Sequence, residues 1–245
     1  MRSRNLAIVF AGLCGYAERL STQTWEESQR MLQLHEAILT PAFRSFGARR
    51  IKQIGATFLY VFDSPSQAVL CAAALQDRVS RFDAQVPAGE RLMARVGIHL
   101  GEVRLDRGDV FGEPVNIAAR IEAIAGPGEV LFGESVWLSM DRAQVRADDA
   151  GERELKGVPE KVRVFRLLQA ETPLPDLGPL PTPSSIELRD EVSHHLAEAG
   201  RAALRRAEEV LPRFRGRARV LIGAGLAAML AVAAFFALAR LGALP

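Results

Sequence analysis

Along residues 1–169 the apolar positions switch repeatedly between a two-residue and a helical period, and each switch marks an element. The apolar run Leu6–Ala11 predicts a buried first strand. Over residues 25–46, Met31, Leu34, Ile38 and Leu39 keep helical spacing, with Pro41 expected to kink the helix or start a new turn. The stretch "RRIKQIGATFLYVFDSP", 49–65, reads as two short strands joined at Gly55-Ala56-Thr57. Ser64 and Pro65 supply a cap and a first-turn proline for an Ala- and Leu-rich helix over 64–82. A long strand is expected over 91–105, and a helix over 112–129 that Gly126-Pro127-Gly128 stops. Shorter strands follow near Val130–Phe132 and Val162–Leu168. Alternating strands and helices make residues 1–169 an α/β or α+β domain.

The pattern then changes. Pro173, Pro175, Pro179, Pro181 and Pro183 make residues 170–185 a semi-rigid, extended linker. Helical composition returns over 186–211, with Leu188, Val192, Leu196, Ala199 and Ala203 along one side and Pro212 as its end. This segment fits a dimerising helix and, through Arg201, Arg205 and Arg206, equally a basic helix lying on anionic lipid. Residues 186–219 close with a basic run, Arg213, Arg215, Arg217 and Arg219. Val220 to Ala239 then carries no charge, Asn, Gln or Pro. About 20 apolar residues in helical form cross the hydrocarbon core, so 220–239 is expected to be a transmembrane helix. Arginines crowd its N-terminal side and only Arg240 follows, which predicts a tail-anchored, single-pass protein of the inner or plasma membrane with a cytoplasmic body. Gly223, Ala227 and Ala231 form a small-residue stripe in an Ala-rich span, weak evidence for helix pairing.

The N-terminus has basic residues and then an apolar run, as an export signal with a lipidated Cys14 would. The run is short, and Leu13 stands where a small residue should precede such a cysteine, so the buried strand is preferred. A hydrophobic content of 49% and a charged content of 24% are those of a globular chain. The net charge of +2 argues neither for nor against nucleic acid, and no nucleic-acid partner is expected. Cys14 and Cys71 sit in apolar segments and read as buried thiols, without metal-site spacing.

The chemistry lies in "GDVFGEPVNIAARIEAIAGPGEV" (108–130), "RVGIHLGEV" (95–103), "ELKGVPEKVRVFRL" (154–167), "FAGLCGY" (10–16) and "IKQIGATFLYVF" (51–62). In this order and spacing they resemble the catalytic domain of class III adenylyl and guanylyl cyclases, over residues 5–168. The resemblance implies a ferredoxin-like α/β sandwich that works as a dimer with active sites at the interface. It also implies conversion of a nucleoside triphosphate to the cyclic monophosphate and pyrophosphate. In that reaction the ribose 3′-hydroxyl attacks the α-phosphorus, and charge builds on the non-bridging oxygens. Two metal ions, Mg²⁺ or Mn²⁺, neutralise phosphate charge and activate the nucleophile, and an arginine stabilises the transition state.

By this resemblance Asn116 orients the ribose, Arg120 stabilises the transition state, and Lys156 contacts the triphosphate. Lys52 and Asp109 match the adenine-selecting pair, so ATP is the expected nucleotide; the guanine-selecting type tends to carry Glu and a small polar residue or Cys. His99 in "GIHLG" reads as structural, and His35, His194 and His195 have no site-like company.

Two departures stand out. The family binds its metals through two aspartates, and their positions here are Gly12 and Ala56. Neither residue offers an oxygen ligand to a hard cation, and Glu18 and Asp63 are not placed to substitute. The chain is therefore similar to the second half of mammalian membrane cyclases, which lacks the aspartates and pairs with a half that has them. Three readings remain: a subunit that needs a metal-competent cyclase domain as partner and is inactive as a homodimer, a catalytically dead regulator, or a weakly active chain whose Mg²⁺ or Mn²⁺ is held mainly by the nucleotide phosphates.

Overall fold

The computed structural model describes residues 2–182. Its elements are β1 (Arg2–Leu13), α1 (Tyr16–Leu20), α2 (Trp25–Ser45), β2 (Arg49–Ile54), β3 (Thr57–Phe62), α3 (Pro65–Asp83), β4 (Ala94–Asp106), β5 (Asp109–Phe111), α4 (Glu113–Ile124), β6 (Val130–Gly133), α5 (Glu134–Ser139), β7 (Val145–Arg153) and β8 (Val162–Ala170). One sheet runs in the order β2-β3-β1-β4-β6-β8-β7, with β5 paired to β4. Its first four strands, linked through α2 and α3, form the antiparallel βαββαβ arrangement of the ferredoxin-like fold. Parallel pairing of β6 with β4 extends it.

Local chemistry sets the helix ends. Thr24 and Glu27 form a reciprocal capping box at the start of α2. Ser64 caps α3, with Pro65 in its first turn. Pro41 lies inside α2 without ending it.

The two faces of the sheet carry different helices. Leu6, Ile8, Phe10, Leu59 and Val61 meet Ala118 of α4 on one face. Strand alternation sends Phe58, Tyr60 and Phe62 to the other face. There Phe43 of α2 stacks on Tyr60 at 3.7 Å, and His35 lies 5.3 Å from Phe58. Helix α4 sits directly on β4 because Gly97 and Gly101 have no side chain. A β-carbon at Gly97 would run into the backbone of Glu122 and Ala118, and one at Gly101 would lie 2.5 Å from the Pro114 ring.

Several boundaries differ from the sequence expectation. The first strand is longer than Leu6–Ala11, because β1 pairs with β4 along its whole length, Arg2↔Leu105 to Leu13↔Ala94. The strand expected from 91 starts at Ala94. Asp83 accepts hydrogen bonds from the Leu92 and Met93 amides, and Met93 takes φ 42°, so the chain bends first. The helix expected to 129 ends at Ile124, where Ala125 turns extended and the Gly128 amide donates to the Ala94 carbonyl. Helix α5 and strand β7 have no counterpart in the sequence reading; β7, "VRADDAGER", is a polar edge strand with weak alternation.

Both cysteines are buried and free. Residues 171–182 contain no helix or strand. The first compact unit nevertheless extends to Pro181. The segment 186–219 and the apolar span 220–239 lie outside the described residues. Among the described residues no helix is long and apolar enough to cross a membrane.

Candidate active site

The hairpin β2–β3 turns at Gly55 and Ala56. Gly55 takes φ 59°, the positive value that a two-residue hairpin of the II′ type needs at its first central position. The turn carries Lys52 up to β5, where its ammonium donates to Asp109 Oδ2 at 2.6 Å. The side chains keep 41% and 31% of their accessible surface, so the pair faces a region a ligand can reach. The Val110 amide also donates to Asp109, at 2.8 Å. The Lys52 hydrogen bond holds the Asp109 carboxyl below its usual range; burial opposes it, and the Val110 amide and the ammonium charge add to the lowering. A charged donor thus stands beside a charged acceptor at a partly exposed position.

Strand β5 leads through Phe111-Gly112 into α4. Ile117 and Ile121 of α4 point into the core, packing with Leu155 and Val164. Asn116 and Arg120, four apart, lie on the outward side and are exposed. Among the described residues neither side chain has a hydrogen-bond or ion-pair partner. Lys156 is exposed on the loop after β7, and the adjacent Leu155 ties that loop to α4. The structure thus joins Lys52 to Asp109, keeps Asn116 with Arg120, and tethers Lys156 next to the same helix. No side-chain bond links the three groups among the described residues.

The positions of Gly12 and Ala56 come together. Gly12 pairs with Thr57 of β3, the residue after Ala56, at the end of the β1–β3 ladder. Asp63 lies at the opposite end, bonded to Arg4 at 2.8 Å, and Glu18 is exposed on α1. Ala56 is buried, with 6% of its surface accessible. A row Thr57–Gly12–Arg95 crosses β3, β1 and β4. Glu122 of α4 covers it and takes a hydrogen bond from Arg95 Nε at 2.7 Å. A β-carbon at Gly12 would lie 2.5 Å from Glu122 Oε1 and 2.7 Å from Thr57 Oγ1. The nearby carboxylate is therefore engaged by a guanidinium, and the remaining donor is one hydroxyl. This set does not fit a divalent cation, which takes several oxygen ligands with net negative charge. Among the described residues no cluster of three or more His, Cys, Asp or Glu offers another metal site.

Sequence reasoning did not find the Arg95–Glu122 pair. Its members lie 27 positions apart on a strand and a helix, and no spacing rule joins them. His99 is packed near Ser135, with burial pushing its pKa down to about 4, in keeping with a structural role. His194 and His195 lie outside the described residues.

Residues 1–169 match the family described as the adenylate and guanylate cyclase catalytic domain. The serine/threonine-protein kinase pkn2 of Myxococcus xanthus is 37% identical over 170 residues, 69% of this chain and 20% of that protein. The putative adenylate cyclase 3 of Rhizobium meliloti is 30% identical over 166 residues, 67% of this chain and 28% of that protein. The chain therefore spans less than a third of the length of these two relatives. Among solved structures, the adenylate/guanylate cyclase/hydrolase from Silicibacter pomeroyi superposes with a TM-score of 0.60 at 29% identity, over 69% of this chain and 98% of that one. Motifs, strand order and these matches agree: the chain belongs to the adenylate and guanylate cyclase catalytic domain family.

Proposed function

We propose that this chain is the metal-lacking partner in a two-domain adenylyl cyclase, held at a membrane by residues 220–239. It converts ATP to cyclic AMP and pyrophosphate only when a second cyclase domain supplies the metal carboxylates. The observation that carries the reading is the Lys52–Asp109 pair at 2.6 Å, intact beside a hairpin tip with no carboxylate at Ala56. Loss of function at random would be expected to damage both halves of the machinery. Here one complete set of residue types is kept.

In this reading Asp109 accepts from the exocyclic amine of adenine and Lys52 donates to a ring nitrogen. Asn116 orients the ribose so that its 3′-oxygen forms the new bond to the α-phosphorus as the bond to pyrophosphate breaks. Arg120, without a side-chain partner among the described residues, meets the negative charge that develops on the α-phosphoryl oxygens. Lys156 offers a point charge to the β- and γ-phosphates. Metal ions held by the partner's carboxylates would supply activation of the 3′-hydroxyl and charge neutralisation.

A second reading is a catalytically dead nucleotide- or partner-binding regulator at the membrane. It draws on the closed setting of Gly12, where Glu122 is already committed to Arg95.

The test uses the full chain in detergent with ATP and Mn²⁺. Alone, it is expected to make no cyclic AMP above background; turnover comparable to an ordinary cyclase overturns the proposal. Mixed with a cyclase domain that keeps both aspartates but has lost its own Asn/Arg pair, it is expected to restore synthesis. Arg120→Ala should then lower the rate by about 10³ without loss of folding. Failure of rescue with ATP still bound favours the regulator.

A further inference from the structure

Arg78 of α3 is one of the most deeply buried side chains among the described residues, at 2% exposure, yet it is far in sequence from every motif of the proposed chemistry. Among the described residues no carboxylate bonds to it. Its guanidinium instead donates to four backbone carbonyls: Nε to Ile38 at 3.0 Å, Nη1 to Leu177 at 3.2 Å and Gly178 at 2.8 Å, and Nη2 to Pro179 at 2.6 Å. A buried charge is tolerated only when its donors are satisfied, and here carbonyl dipoles do it.

The segment that supplies three of those carbonyls is shaped for the purpose. Gly178 takes φ 71°, and its amide donates to Asp176 Oδ1 at 2.9 Å. This turn aims successive carbonyls at one guanidinium, a geometry a side chain at residue 178 would strain. Residues 172–181 contain no buried residue. Among residues 172–181, every hydrogen bond to the rest of the described body comes from Arg78.

We propose that the Asp176–Pro179 turn is a latch, through which Arg78 fastens the chain leaving β8 to the α2–α3 layer. The occupant is this chain's own segment, read through its backbone. Helices α2 and α3 pack against each other, and α2 lies on the sheet face opposite α4. The latch therefore grips the C-terminal extension on the side away from Asn116 and Arg120. A segment whose hydrogen bonds to the body come from one side chain opens locally more often once that side chain is lost. The inference stands whether or not the cyclase reading of the opposite face is right.

The test is thermolysin cleavage of the full chain at the Asp176–Leu177 bond, located by mass spectrometry, with circular dichroism as the check on folding. Cleavage of a transiently open segment tracks the open population. Arg78→Met is expected to raise its rate at least about tenfold. Arg78→Lys, which keeps the charge but loses the planar fork, should also raise it. Gly178→Val alters only the turn and should loosen the same bond, so it decides the matter if Arg78→Met fails to fold. An unchanged cleavage rate in any of these variants, with the body still folded, overturns the latch.

Discussion

Lys52 of β2 and Asp109 of β5, 57 positions apart, meet at 2.6 Å as an ion pair. Under the proposed function, an incoming purine exchanges this contact for its own. Asp109→Ala removes the acceptor and leaves the Lys52 ammonium free to solvent. The pair is partly exposed, so folding stability should change by no more than about 1 kcal/mol. Preference for ATP over GTP should fall about tenfold, since a hydrogen bond to a charged group is worth ~1.5–3 kcal/mol. Competition between the two nucleotides for a fluorescent ATP analogue measures this. An unchanged preference removes Asp109 from base recognition.

Gly12 and Ala56 are tested by restoring carboxylates. Neither Gly12→Asp nor Ala56→Asp alone completes a ligand set, whereas the double variant is expected to bind Mn²⁺, read by calorimetry or by electron paramagnetic resonance. The Gly12 change meets the flexible ends of Glu122 and Thr57 within 2.7 Å, so those side chains must shift. An overpacking cost of about 1–3 kcal/mol is expected from chemical denaturation. No Mn²⁺ binding by a folded double variant would show that the site has been lost beyond these two positions.

Gly97 makes the seat of α4. Its added β-carbon would meet the backbone of Glu122 and Ala118, which cannot swing aside as a side chain can. Gly97→Ala is therefore expected to destabilise the body by about 1–3 kcal/mol and to displace the helix that carries Asn116 and Arg120. Urea denaturation gives the first number. Loss of partner-assisted cyclic AMP synthesis, at a temperature where the variant is folded, gives the second.

Two histidines are expected to make stability fall in acid. Burial lowers the pKa of His35 to about 3 and that of His99 to about 4, against 6.5 for a free imidazole. Both ring nitrogens of His35 lack a hydrogen-bond partner. Below pH 6.5 the unfolded chain binds more protons than the folded one. Their contribution is complete above 6.5 and is lost as pH falls from there towards 4 and then 3. Each histidine should contribute a slope of about 1.4 kcal/mol per pH unit inside its window. His35→Leu should remove about half of the combined slope between pH 6 and 5, measured by urea denaturation. An unaltered slope would show that His35 does not titrate in this way.

The family was legible in local chemistry. The Gly-Ala turn, the Pro65 helix start, the outward Asn116 and Arg120 on one helix, and the strand with Gly97 and His99 are short-range patterns, fixed by backbone geometry and side-chain period. Element ends were less legible. Met93 bends because Asp83 caps two amides from another element, and α5 and β7 form where burial and sheet pairing outweigh weak periodicity.

The sequence by itself determined which chemical groups are present and which are missing: Lys52, Asp109, Asn116, Arg120 and Lys156 kept, with glycine and alanine at the two expected metal positions. Only the tertiary structure decided what those groups face. It set Lys52 on Asp109, brought Gly12 beside Thr57, committed Glu122 to Arg95, and turned Arg78 onto three carbonyls about 100 positions away. The reason is one of distance along the chain. Period and propensity act over a few residues, whereas sheet register and helix seating join residues that no local rule connects.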